Sequence, residues 1–351
     1  LKVVKKSTKI AYSNTKYYKS NMSNATQDIT PVVIGIDIGG TNTKFGFVDK
    51  EGNSFAEGSM PTRAEQEINL YLPRLYENID SLRKTITMPI EIRGIGIGVP
   101  NGNYYTGTVE DAANINWGKL VPLAYLVQEH YKIPTVLTND ANAAAIGEML
   151  FGVAQGMKDF IIITLGTGLG SGLVANGQLI YGHDGFAGEL GHVIVDPNGR
   201  YHGNSNQGVL EAYVSATGIK RTVFELMATM IEPSPLRDIS FNQLDASMIT
   251  DAALKGDAIA IAAFEYTGKL LGMKLADAVA HLSPEAIVLF GGLTKAGKYL
   301  LEPTKKYMEM FLFPIYRNKV KLLVSGLEGK NAAVLGASAL IWSELEKGKK
   351  S

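Results

Sequence analysis

One pattern occurs twice along this chain and limits its fold more than any other feature: an apolar run, a glycine-rich turn, then a hairpin. The first copy runs through residues 32–37 into Ile38-Gly39-Gly40-Thr41-Asn42-Thr43, then a strand over 44–49, the turn Lys50-Glu51-Gly52-Asn53 and a third strand over 54–60. The second runs through residues 160–165 into Gly166-Thr167-Gly168-Leu169-Gly170, a strand over 171–175, the turn Asn176-Gly177 and a strand over 178–181. A strand with no polar alternation is buried on both faces, and Asn-Gly between short strands closes a hairpin. The repetition is one of pattern rather than identity, and it predicts two related α/β halves facing each other.

The remaining elements fit that division. Leu70, Leu72, Leu75, Ile79 and Leu82 predict a packed helix within residues 65–87, with Pro73 as a kink. Strands are expected at 92–99, 135–137 and 286–290, and helices at 123–131, 140–151, 210–230, 257–282 and 299–311. A last helix over 332–346 is expected to pack back on the first half. The domains are therefore read as 31–136 and 137–331, preceded by a polar, disordered extension over 1–30 in which Met22 is a candidate start.

Composition narrows the chemistry. Lys plus Arg and Asp plus Glu number 34 each, so no overall field draws the chain to nucleic acid or an anionic membrane. Cys is absent, which removes disulfides, thiolate nucleophiles and cysteine-held zinc, and fits a reducing, cytoplasmic setting. No run approaches the ~18 uncharged apolar residues of a membrane helix, and no signal-peptide core precedes the fold, so a soluble protein is expected. A chain of 351 residues suits two domains meeting at a cleft.

Glycine-rich turns after buried strands let backbone amides surround a phosphate. In the first turn Asp37 offers a carboxylate to a hydrated magnesium ion, Gly39 and Gly40 open backbone, Thr41 and Thr43 hydroxyls, and Lys44 a charge. A plain hairpin reads equally well there. In the second, Gly166, Thr167 and Gly168 resemble part of a dinucleotide fingerprint, but a strand follows where that motif needs a helix. Gly292-Leu293-Thr294-Lys295-Ala296-Gly297-Lys298 has P-loop spacing, yet Tyr299 stands where Ser or Thr would hold magnesium. Gly291 and Gly292 either let the chain pass close to a nucleotide or simply make a tight turn.

Asn139 and Asp140 follow a short strand. Asp140 can take a proton from an attacking hydroxyl, or cap the helix that begins at Ala141, and the two roles are compatible. Asn139 can hold a neighbouring hydroxyl. Gly188-Glu189-Leu190-Gly191-His192 and Leu210-Glu211-Ala212-Tyr213 supply carboxylates and an imidazole suited to a ring of sugar hydroxyls. Glu211 also reads as an ordinary residue in a helical first turn.

Together, Asp37-Ile38-Gly39-Gly40-Thr41, Asn139-Asp140, Leu165-Gly166-Thr167-Gly168, Gly188-Glu189-Leu190-Gly191-His192, Leu210-Glu211-Ala212-Tyr213 and Gly291-Gly292 resemble the ROK family of repressors, open reading frames and kinases, over about residues 32–340. The resemblance implies an actin-like ATPase (ribonuclease H-like) fold of two α/β domains, with ATP and magnesium in the cleft, a hexose acceptor and a homodimer. It makes Asp140 the catalytic base and gives the sugar to Asn114, Asn139, Glu189, His192 and Glu211. One departure is large. The family's cysteine-rich zinc loop is here Arg200-Tyr201-His202-Gly203-Asn204-Ser205-Asn206-Gln207-Gly208-Val209, with His202, Asn204 and Val209 at the three Cys positions. His192 and His202 alone are too few ligands for a closed zinc site, so no zinc is expected.

Three functions follow from these readings. The first is a glucokinase-like hexose kinase, with N-acetylmannosamine, N-acetylglucosamine, fructose or allose as other acceptors. The second, a sugar-responsive repressor, needs an N-terminal helix-turn-helix that thirty polar residues do not supply. The third, a non-catalytic sugar binder, is opposed by the presence of Asp140 and both glycine turns.

Overall fold

The computed structural model describes residues 29–112, 115–203, 206–327 and 331–348. The expected extension lies almost wholly outside the described residues, as do Asn114 and Asn204. In chain order the first part comprises β1 (Thr30–Ile38), β2 (Asn42–Val48), β3 (Ser54–Pro61), α1 (Ile68–Arg83), β4 (Ile90–Gly98), β5 (Gly102–Asn103), β6 (Thr108–Glu110), β7 (Leu120–Val121), α2 (Leu123–Tyr131), β8 (Thr135–Thr138) and α3 (Asp140–Phe151). The second comprises β9 (Phe160–Leu165), β10 (Leu169–Ala175), β11 (Gln178–Leu179), α4 (Ala216–Thr229), α5 (Ala246–Leu254), α6 (Ala258–Leu282), β12 (Ala286–Phe290), α7 (Lys298–Phe311), β13 (Lys321–Val324) and α8 (Ala332–Lys347).

The repeat read in the sequence becomes two sheets of the same design. One has the order β3-β2-β1-β4-β8 and the other β11-β10-β9-β12-β13. In each, the hairpins are antiparallel and the later strands join parallel, which is the ribonuclease H-like arrangement. The central strands are apolar because both faces are covered: Ile34, Ile36, Ile161 and Ile163 are fully buried. A small sheet, β5-β6-β7, extends the first half; its two- and three-residue strands are too short to leave a periodicity in the sequence.

Two helices join the halves. α8 lies on β1 and β4, α3 lies on β9 and β10, and the helices pack on each other. Small residues make this possible. A Cβ on Gly96 would sit 1.9 Å from the Ala337 carbonyl, and one on Gly147 would sit 2.9 Å from the Gly336 Cα. A Cβ on Gly172 would lie 2.9 Å from the Ala141 carbonyl and 2.8 Å from the Ala145 methyl, so β10 runs directly beneath the start of α3.

The expected helix over 210–230 is instead a 3-10 turn, Leu210–Ala212, followed by α4. Ser215 interrupts it, its hydroxyl accepting from the Gly218 N–H at 2.9 Å as an N-cap. No helix among the described residues is long and apolar enough to cross a membrane.

Candidate active site

Three parallel strands end side by side, and the acidic residues of interest stand at that edge. Asp37 of β1 pairs with Gly98 of β4, which pairs with Thr138 of β8, while Lys44 flanks Asp37 on β2. Asp140 then opens α3, two residues beyond Thr138. Polar groups at the carboxyl ends of parallel strands face a crevice rather than a core. A Cβ built on Gly98 would lie 3.3 Å from the Ala143 Cβ, 3.6 Å from the Asp140 Cα and 3.7 Å from Asp37 Oδ1, so Gly98 lies between Asp37 and the start of α3. Sequence reading missed Gly98. Its signal was the alternation Gly94-Ile95-Gly96-Ile97-Gly98, in which the first two glycines pack against Ile341 and Ala337 of α8 and the third against Ala143 of α3.

The carboxylates are electrically coupled. Burial, then the charge of Asp140, push Asp37 up to about 7, against the opposing pull of Lys44. Asp140 is raised too, first by the protein crowded around it and then by Glu211, with the N–H groups of Ala141 and of Asp140 itself working in the other direction. Asp140 nevertheless keeps an open face to solvent, so desolvation by the cleft walls is partial. Two carboxyl groups, one raised by the charge of the other, form a donor set that a hydrated divalent cation fits.

Two sequence expectations need correction at the first turn and at the head of α3. Thr43 does not offer its hydroxyl to a phosphate: it is fully buried and hydrogen-bonded to Thr62 Oγ1 (3.0 Å) and Tyr71 OH (2.9 Å). It is part of a brace beneath the turn, where the Thr62 hydroxyl donates to the Gly39 carbonyl (2.7 Å) and the Thr62 N–H to the Thr41 carbonyl (2.9 Å). Gly39, Gly40 and Thr41 remain at the surface of that turn, with Lys44 exposed beside them. The cap of α3 is Asn139 rather than Asp140: Asn139 Oδ1 accepts from the Ala141 N–H at 2.9 Å, a bond that Asp140 Oδ1 shares at 2.8 Å. The cap engages the Asn139 amide oxygen, not its NH2 group.

The second turn is built differently. Gly170 and Gly172 serve packing, since a Cβ on Gly170 would meet the Ala141 methyl at 2.8 Å. Gly166 and Gly292 are different: a Cβ on either would find nothing within 4 Å, and neither has a positive φ. The fold itself does not require glycine at these positions. Gly291, with φ of 112°, is pressed against the Leu165 backbone, where an added Cβ would be 2.5 Å from the carbonyl oxygen. The turns after β9 and β12 thus converge.

Glu211, in the 3-10 turn Leu210–Ala212, reaches back onto this structure. Its Oε2 accepts from the Leu169 N–H (2.6 Å) and its Oε1 meets His202 Nε2 (2.7 Å). Glu189 and His192 flank a second 3-10 turn, Leu190–His192, and stand 3.6 Å apart at Oε2 and Nε2. Ser171 of β10 fixes that turn by donating to the Gly188 carbonyl and accepting from the Leu190 N–H at 3.2 Å. Burial raises Glu189 above the usual carboxylate range, and the charges of Asp140 and Glu211 add to it while His192 opposes. Asp37, Asp140, Glu189, His192 and Glu211 are accordingly one electrostatic group. An open cavity of about 510 Å³ is bordered by Glu65, Asp111, Ile115 and Asn116; Asn114 lies outside the described residues. Among the described residues no group of three or more His, Cys, Asp and Glu side chains is placed to hold a metal ion directly.

Comparison with known proteins identifies the family. Residues 33–344 match the ROK family. A glucokinase of Halalkalibacterium halodurans is 34% identical over 325 residues, covering 91% of this chain and 98% of that protein. A xylose repressor of Caldicellulosiruptor bescii is 29% identical over 315 residues, covering 89% of this chain and 78% of the repressor. The crystal structure of a ROK family glucokinase from Streptomyces griseus, in complex with glucose and AMPPNP, aligns with a TM-score of 0.76 and 32% identity over 88% of this chain and 98% of that one. With two sheets of matching design, a glycine turn on each and the acidic group between them, the chain belongs to the ROK family and has its actin-like ATPase fold.

Proposed function

We propose that this protein is an ATP-dependent hexose kinase that converts glucose to glucose 6-phosphate, with Asp140 as general base. The observation that carries this reading is the position of Asp140. It opens a helix laid on β10, its Cα lies across the Gly98 position from Asp37 Oδ1, and its charge raises Asp37. Asp140 accepts the proton of the sugar 6-hydroxyl as that oxygen attacks the γ-phosphorus in line, and later gives it to water. Its raised affinity for protons makes it a better acceptor than an ordinary carboxylate.

The exposed backbone at Gly39, Gly40 and Thr41, and at Gly166, Thr167 and Gly168, donates to phosphate oxygens, with Lys44 beside it. The bare Gly166 and Gly292 give a nucleotide room to approach, and Gly291 sets the turn that carries Gly292. Magnesium, when bound, supplies charge neutralisation on the phosphates, and Asp37 would hold it through water. Glu189 and Glu211 accept from sugar hydroxyls, while Asn139 and His192 donate to them. Asn114 belongs to the same set by its place in the sequence. The protein would work in the cytoplasm, where ATP is available, and as a homodimer.

A coupled ADP-release assay over glucose, fructose, allose, N-acetylglucosamine and N-acetylmannosamine tests the proposal. Glucose should give the highest kcat/KM, and Asp140→Asn should lower kcat by about 100-fold or more. Absence of ADP release with every sugar, or an Asp140→Asn protein as fast as the parent, would refute it.

A further inference from the structure

Among the described residues that lead to His202, Arg200 makes the largest set of side-chain hydrogen bonds, and Arg221 Nη1 adds one to the Tyr201 carbonyl at 2.8 Å. The Arg200 guanidinium is 9% exposed, and each of its five N–H donors has an acceptor. Nε reaches Glu225 Oε1 (2.9 Å); Nη1 reaches the carbonyls of Ala212 and Gly218 (3.0 Å each); Nη2 reaches Thr222 Oγ1 (2.9 Å) and Glu225 Oε2 (2.5 Å). Its plane also lies 4.4 Å from the centre of the Tyr213 ring, whose hydroxyl accepts from the Arg200 N–H at 2.8 Å. The Gly208 N–H closes the loop onto the Arg200 carbonyl at 2.8 Å, and Gln207 Nε2 donates to the Gly199 carbonyl at 2.8 Å. A planar donor with every hydrogen engaged fixes position and orientation together.

That order ends at a functional carboxylate. Two residues beyond Arg200, His202 meets Glu211 Oε1 at 2.7 Å, with side chains only 15% and 21% exposed. A carboxylate accepts only, so His202 Nε2 carries the hydrogen of this bond. The Leu169 N–H holds the other oxygen at 2.6 Å. Glu211 is thus gripped at both oxygens, and each retains a lone pair for a ligand. The His202 ring also stands edge-on to His192, 5.8 Å between centres.

We propose that His202 is a positioning residue for the sugar-holding carboxylate of Glu211, and that Arg200 is the cross-link that fixes the loop presenting it. In this chain without Cys, directed hydrogen bonds from the Arg200 guanidinium, joined by those of Arg221 to the Tyr201 carbonyl and Gln207 to the Gly199 carbonyl, do the organising. The inference rests on the reading of Glu211 as a sugar contact. It assigns no chemistry to His202, which acts through Glu211.

The test separates sugar from nucleotide. His202→Ala should raise the sugar KM about tenfold or more, the loss expected for a hydrogen bond to a charged group, while the ATP KM moves less than about twofold. His202→Gln, which keeps a donor, should recover most of that loss. Arg200→Lys, which keeps the charge but not the five directed donors, should also raise the sugar KM alone. In a Glu211→Ala background, His202→Ala should add less than about twofold, because its route of action is gone. A sugar KM unmoved by His202→Ala, a parallel rise in both KM values, or effects that multiply in the double variant would overturn the inference. Calorimetric titration of glucose without nucleotide makes the same comparison for binding. Glucose binding without ADP release removes the kinase reading and leaves this one testable on binding; no glucose binding by the parent removes this one.

Discussion

Asp37 and the start of α3 at Asp140 stand on either side of Gly98, and burial, then the charge of Asp140, makes Asp37 harder to ionise. Asp37 holds its proton up to about 7 in the fold against an ordinary value of 3.8. An acid with a raised folded value withdraws stability as the pH climbs from its unfolded value, and the loss is complete above its folded one. Asp37→Asn should therefore raise the melting temperature of the ligand-free protein at pH 8 and leave it unchanged at pH 3.5. A shift of this size sets a ceiling of ~4 kcal/mol; with Asp37 partly open to solvent, about 1–2 kcal/mol is expected, read by calorimetry. Equal melting points at pH 8 would contradict the coupling. At this scale the sequence was legible where alternation was followed. Thr43 shares the inward side of β2 with the buried Phe45 and Phe47, so its period of two already pointed away from the turn. The Asn139 cap was harder, because Asn and Asp are equally good at that position. His202 was visible only as a substitution, since its partner Glu211 becomes a neighbour through the fold.

Among the elements, α3 and α8 carry the greatest constraint, because their backbones touch. A Cβ on Gly336 would lie 2.7 Å from the Ala143 carbonyl, so Gly336→Val must push the helices apart. The expected cost is about 1–3 kcal/mol, measured by denaturant unfolding; a variant as stable as the parent would show that the crossing is looser than described. The bounds of α2 and α3 were readable from apolar spacing and the Thr138-Asn139-Asp140 start signal. The 210–230 region was not, because its helical composition conceals the break before α4. The break is set locally by the Ser215 cap, and Gly218 lets the new helix start against the Tyr213 backbone, where a Cβ would lie 2.4 Å away.

For the whole molecule, the twofold pattern was the most informative part of the sequence, since it became two sheets of identical strand order. Each sheet offers a glycine turn after its central strand, and a small residue closes the neighbouring parallel strand: Gly98 in one, Gly291 in the other. How the halves meet was less legible, because it depends on glycines scattered over β1, β4, β10, α3 and α8. Some contacts beyond these helices also join them: Asn103 Nδ2 donates to the Asp184 carbonyl at 2.8 Å, and Tyr104 stacks on Tyr181 at 4.1 Å. With substrates held from both sides, glucose should draw the halves together. Small-angle X-ray scattering should show a smaller radius of gyration with glucose than without; an unchanged value would mean that the cleft is already closed.

The seating of α3 has a mechanical consequence. Its first turn follows the edge of one sheet, its flank lies on the other, and its middle is pressed to α8. A part in contact with both moving bodies behaves like an axle, travelling least when they swing. In the mechanism proposed above, Asp140, at the tip of that axle, is then the stationary point, and closure is the delivery of sugar and phosphate to it.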